Sequence, residues 1–145
     1  MSDDSKKSVH AGCHICELAM RYDAIWSDEH WVVCPASAGV GCFLVLSRRH
    51  AVGVWSLTDD EAAGYGPLLK RLGTAIRELC PAERVYIVTY GEGFPHFHAA
   101  VMPRPPEWKA DPRITELTVG HMNKLAGSEK AREVAASVAS RLGTS

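Results

Sequence analysis

Residues 58–79 constrain the fold more than any other stretch of this chain. Thr58-Asp59-Asp60-Glu61 has the form of a capping box, in which the Thr hydroxyl takes an orphan amide of the first turn and Glu61 reaches back to the cap. Behind it Tyr65, Leu68, Leu69, Leu72, Ile76 and Leu79 recur at three-and-four spacing, so the segment reads as one long helix with a single apolar face, stopped by Pro81. Strand-length apolar runs lie on either side of it. Upstream are Trp31-Val32-Val33-Cys34 and Cys42-Phe43-Leu44-Val45-Leu46, joined across Pro35 and Gly39-Val40-Gly41 as two adjacent strands. Downstream, Val85-Tyr86-Ile87-Val88-Thr89-Tyr90 is followed by the turn Gly91-Glu92-Gly93 and a second strand from Phe97 to Met102. One long helix between two strand pairs predicts an α+β fold with an antiparallel sheet. A short helix from Cys16 to Arg21 precedes it, and a C-terminal amphipathic helix over residues 128–142 follows, with Ala131, Val134, Ala135, Val138 and Leu142 on one face. Between Pro103 and Lys124 the prolines at 103, 105, 106 and 112 break regular structure.

With 145 residues, 46% of them apolar, the chain has the size of one domain and enough material for a core. Residues 1–9 are polar and without periodicity, and read as a disordered tail; residues 10–145 read as the single domain. A formal charge of -1 with both signs interspersed argues against the basic footprint of a nucleic-acid binder, while leaving room for a small anionic ligand. No run nears the roughly 18 apolar residues of a membrane span, and the start lacks an apolar signal region, so the expected location is the cytoplasm. Five cysteines, two of them as Cys13-His14-Ile15-Cys16, fit a reducing compartment and a metal site better than a disulfide framework.

Strand alternation sends His96, His98 and Ala100 to one face, and Phe97, Ala99 and Val101 to the other. An imidazole held on a strand serves as a nucleophile toward phosphorus, a general base or a metal ligand. A lone histidine there is more often a satisfied polar residue of the sheet, but this pair has company. Cys13, Cys16 and the His50 of Arg48-Arg49-His50 supply further ligand types, and two thiolates with two imidazoles make a tetrahedral zinc shell.

Taken in order, Cys13 and Cys16, Asp28-Glu29-His30, Leu44-Val45-Leu46-Ser47-Arg48-Arg49-His50, the helix from Asp59 and His96-Phe97-His98-Ala99-Ala100-Val101-Met102-Pro103-Arg104 resemble the branch of histidine triad (HIT) proteins that begins with a Cys-x-x-Cys motif. The resemblance covers residues 13–104. It implies a structural zinc ion bound by Cys13, Cys16, His50 and His96, and places His98 where the family keeps its nucleophile. In that role His98 attacks the α-phosphorus of a nucleoside phosphate ester, phosphoramidate or anhydride, with Nδ1 held by a backbone carbonyl and Nε2 facing the substrate. The implied activity is that of a nucleotidyl hydrolase or transferase working through a nucleotidyl-histidine. A two-fold homodimer through the long helix and an edge strand is implied as well.

Several positions depart from the pattern. Ala100 stands at the third histidine, whose help to the leaving group is typically worth about a hundredfold or more. The segment before the motif, Thr89-Tyr90-Gly91-Glu92-Gly93-Phe94-Pro95, is shorter than the family's loop and lacks its Asn and Gln, and Cys34-Pro35-Ala36-Ser37 replaces a ribose-binding Asp. These losses support a second reading, a zinc-stabilised binding module or repurposed scaffold without nucleotide hydrolysis. Glu92, Tyr90 and Trp26 are candidate substrate contacts, against the commoner readings of Glu92 as a solvated turn residue and of the aromatics, Trp31 included, as core. Arg104 is expected to pair with a carboxylate. His14, His30 and His121 read as surface or capping residues, and Cys34, Cys42 and Cys80 as small buried hydrophobes.

Overall fold

A computed structural model of the chain describes residues 10–20, 24–36, 39–104 and 128–143. The long helix forms as its sequence dictates. Helix α2 (Asp59–Leu79) is capped at Thr58, whose hydroxyl accepts from the Glu61 amide while the Glu61 carboxylate accepts from the Thr58 amide. Pro67 sits inside α2 on an exposed turn, where the carbonyl it leaves unpaired faces solvent and the helix carries on. Leu68, Leu72 and Ile76 are buried, as the spacing requires.

The sheet has five strands: β1 (Trp26–Ser27), β2 (Trp31–Pro35), β3 (Phe43–Ser47), β4 (Val85–Val88) and β5 (His98–Pro103). Their order is β1-β2-β3-β5-β4 and every neighbouring pair is antiparallel. The expected β2–β3 and β4–β5 pairs are both present, joined side by side through β3 and β5, which no local pattern could announce. The turn between β2 and β3 depends on Gly41, at φ 74°, since a Cβ there would also press on the Cys80 sulfur at 2.8 Å.

The pleat divides the sheet into two unlike faces. Val33, Val45, Phe97, Ala99 and Val101 point to one face and pack under α2 and the C-terminal helix α3 (Glu129–Leu142). Val134, Ala135, Val138 and Leu142 of α3 are buried there, and Arg71 of α2 donates to the Leu142 carbonyl while Arg141 pairs with Glu78. The other face carries Val32, Cys34, Leu44 and Leu46 under the short helix α1 (His14–Ala19). α1 begins two residues before the expected Cys16 because the Cys13 sulfur caps it, accepting from the Cys16 amide at 3.4 Å. The expected end of that helix at Arg21, the tail 1–9, and the stretch 105–127 with His121 lie outside the described residues. Among the described residues no helix is long and apolar enough to cross a membrane.

Candidate metal centre and nucleophile

Four residues far apart in sequence meet at one corner of the sheet. Cys13 and Cys16 come from the start of α1, His50 from the loop after β3, and His96 from the turn that enters β5. Their ligand atoms all lie within 4.8 Å of one another. The His96 Nδ1 is 3.5 Å from the Cys13 sulfur and 3.3 Å from that of Cys16, and the His50 Nδ1 is 3.3 Å from Cys16. Sulfur and nitrogen bound at 2.3 and 2.0–2.1 Å to one tetrahedral zinc are about 3.5 Å apart, so the cluster suits a structural zinc ion with all four positions filled by protein. His96 Nε2–H donates to the Ser47 carbonyl at 2.7 Å, which leaves Nδ1 as the lone pair aimed at both sulfurs. Burial lowers the pKa of His96 and of His50, keeping both imidazoles in the neutral, ligating form. Burial pushes the Cys16 thiol up, an expense that a bound cation offsets.

A buried polar network holds this corner. Ser47, fully buried, donates its hydroxyl to the Arg49 carbonyl at 2.9 Å and its amide to the Phe97 carbonyl at 3.3 Å, tying both histidine-bearing segments to the end of β3. Arg49, beside His50, grips Glu61 through two bonds of 2.9 Å and donates to the Ser56 carbonyl at 2.6 Å. Burial works against ionisation of Glu61, but the Arg49 hydrogen bonds, the Thr58 amide and the Arg49 charge outweigh it and hold the carboxyl below its usual range. The first turn of α2 is thereby braced against the loop that carries His50. Glu61 was legible as a capping residue; its partner Arg49 was not, because the pairing is made only when helix and loop dock.

His98 opens β5, opposite Leu46 of β3, and is half-buried. Its Nδ1–H donates to the His96 carbonyl at 2.7 Å, so Nε2 is the free lone pair. Phe94 stands edge-on to its ring at 6.4 Å and also contacts the His14 ring at 5.6 Å. Ala100, opposite Leu44 and Val88, is buried and supplies no polar atom beside His98.

The other candidate contacts do not converge on His98. Trp26 is on the opposite face, opposite Val33 and within the core under α2, with the Arg71 guanidinium 5.6 Å from its ring centre. Two strands, β2 and β3, separate it from β5, so it belongs with Trp31, itself fully buried, to the core. Tyr90 and Glu92 are exposed and line a cleft of about 410 Å³ whose far wall is Val52, Val54 and Trp55 and whose floor includes His96 and Phe97. His98 is not part of that lining. Trp55 drew no attention as a sequence position; its only signal was a tryptophan following Gly53 in a short polar-flanked loop. Arg104 pairs with Glu83, as expected, and Cys34 and Cys80 are buried; Cys42 is only partly so, yet burial together with Cys80 pushes its thiol up to about 12.

Neither a family model nor a curated protein sequence matches the chain. Solved structures do. A zinc-bound histidine triad family protein from Mycobacterium smegmatis superposes with a TM-score of 0.65 at 18% identity, over 90% of this chain and 95% of that one. A histidine triad protein from Bradyrhizobium japonicum gives 0.65 at 21% identity over 81% and 87% of the two chains. A Hit-like protein involved in cell-cycle regulation from Bartonella henselae gives 0.64 at 12% identity over 88% and 91%. With the strand order, the long capped helix and the two-cysteine, two-histidine corner on the same scaffold, the chain has the fold of the histidine triad proteins.

Proposed function

We propose that this protein is a nucleotidyl hydrolase or transferase that uses His98 as its nucleophile. The observation that carries the reading is the 2.7 Å bond from His98 Nδ1 to the His96 carbonyl, which fixes the tautomer and leaves Nε2 free on a half-buried ring. In this reaction Nε2 forms a bond to the α-phosphorus of a nucleoside phosphate ester, phosphoramidate or anhydride as the bond to the leaving group breaks. Without a histidine at position 100, the departing group takes its proton from solvent. Water then attacks the phosphorus, the phosphorus–nitrogen bond breaks, His98 returns to its starting form and the proton passes to bulk. Cys13, Cys16, His50 and His96 would hold a zinc ion whose part is to stiffen the segment carrying His98.

Ala100 favours one second reading, a zinc-stabilised binding module that has lost the reaction. A homodimer fits either reading, since β4 is an edge strand with Ile87 half exposed and open to pairing with a second copy. Single-turnover hydrolysis of a fluorogenic adenosine phosphoramidate separates the two. Turnover that disappears in His98→Ala and rises in Ala100→His supports the enzyme; three inert proteins that keep their zinc support the module.

A further inference from the structure

The cleft beside Trp55 is lined without His98, so what it could hold is separate from the reaction proposed for that residue. Trp55 is 80% exposed, an unusual position for the largest apolar side chain, yet it is not loose. Its indole lies directly against the backbone of Gly53, where a Cβ would come within 2.4–2.6 Å of three ring carbons. The turn that presents it is closed by the Ser56 hydroxyl, which accepts from the amides of Val52 and Gly53 at 3.0 and 3.2 Å, and the Ser56 carbonyl is held by Arg49. Thr89, Tyr90 and Glu92 line the same cleft. The side that carries Trp55 is therefore set before a ligand arrives.

Chemistry then selects the occupant. Trp55 and Tyr90 offer aromatic surface, Val52 and Val54 aliphatic surface, and Glu92 is the one acidic side chain among the described residues that line the cleft. Among the described residues its carboxylate bonds only the neighbouring Gly91 amide, at 3.1 Å, and Arg49 is engaged by Glu61. Aromatic faces beside a lone carboxylate attract a cation that carries an apolar body, through ring quadrupole and charge together. We propose that this cleft binds organic ammonium compounds, amines or quaternary ammonium groups attached to an apolar or aromatic group.

The test is a titration of the zinc-loaded full chain with benzyltrimethylammonium, followed by backbone and tryptophan indole NMR shifts, with benzenesulfonate as the anion of like size. Saturable shifts centred on Trp55 and Glu92, with a dissociation constant of about 1 mM as befits so small a probe, are expected for the cation alone. Glu92→Gln and Trp55→Ala should each weaken binding about tenfold, whereas Trp55→Phe should largely restore it. Both side chains are exposed, so the variants should keep the parent melting temperature. His98→Ala should bind the probe like the parent, which separates this site from the nucleophile. Equal binding of benzenesulfonate, shifts that do not saturate, or shifts that follow protein concentration instead of ligand would each overturn the proposal, the last by identifying a self-association surface.

Discussion

The zinc corner and the surroundings of His98 are separated by two residues of sequence, yet they are equipped very differently. At the corner every required donor is present: two sulfurs and two imidazoles, with the Ser47 carbonyl orienting His96 and the Arg49–Glu61 pair holding the loop that carries His50. Around His98 the bond to the His96 carbonyl remains, but the neighbours are Phe94, Ala100, Leu44 and Leu46. The contrast teaches that holding the strand and running the reaction are separable demands on the same segment. The first needs a full ligand set and its supports; the second needs polar groups beside the nucleophile, and the strand positions that flank His98 among the described residues are apolar.

The largest expected effect breaks the corner. Removing zinc with a chelator, or Cys16→Ala, should lower the melting temperature by more than about 10 °C, because a closed four-ligand site contributes its binding energy to folding. Thermal denaturation with and without chelator measures it, and an unchanged transition would put the corner on the same footing as the apolar surroundings of His98. Next comes the nucleophile: His98→Ala should reduce single-turnover hydrolysis about a thousandfold or more while leaving stability nearly intact. Loss of fold in that variant, seen by circular dichroism, would mean that the two regions are not separable.

A smaller effect probes the bracing. Glu61→Gln removes half of a buried pair and one bond of the capping box, and should cost about 2–3 kcal/mol in denaturant unfolding, together with faster zinc release. Because the folded pKa of Glu61 lies below its unfolded value of about 4.3, its contribution is complete above that pH and is lost as pH falls through the folded value. The parent and Glu61→Gln should therefore converge in stability on acidification, and a constant gap down to low pH would count against the pairing. The smallest effect sharpens the other side of the comparison. Ala100→His should raise turnover by about tenfold, less than a fully built site would allow, since the new ring must fit between Leu44 and Val88. No gain in the presence of intact zinc would show that the missing loop groups, and not the third histidine, limit the reaction.

Elements whose causes are local could be read from the order of residues alone. Helix α2 follows from its capping box and apolar stripe, α3 from the same spacing, and the strand pairs β2–β3 and β4–β5 from short apolar runs across turns. The ligand set Cys13, Cys16, His50 and His96 was implied by the resemblance to the histidine triad proteins, since the Cys-x-x-Cys spacing and two separated histidines are by themselves only a moderate signal. The rest was settled by contacts across long stretches of chain. The joining of β3 to β5 brings His50 and His96 to one corner, and the docking of α2 turns a capping glutamate into the partner of Arg49. Trp26 could have faced either side of the sheet on composition alone; its pairing with Val33 sends it into the core, away from His98. Trp55 gained its meaning only when its loop folded over Gly53 opposite Tyr90 and Glu92, because an exposed aromatic is shaped into a wall by its neighbours in space and not by its neighbours in sequence.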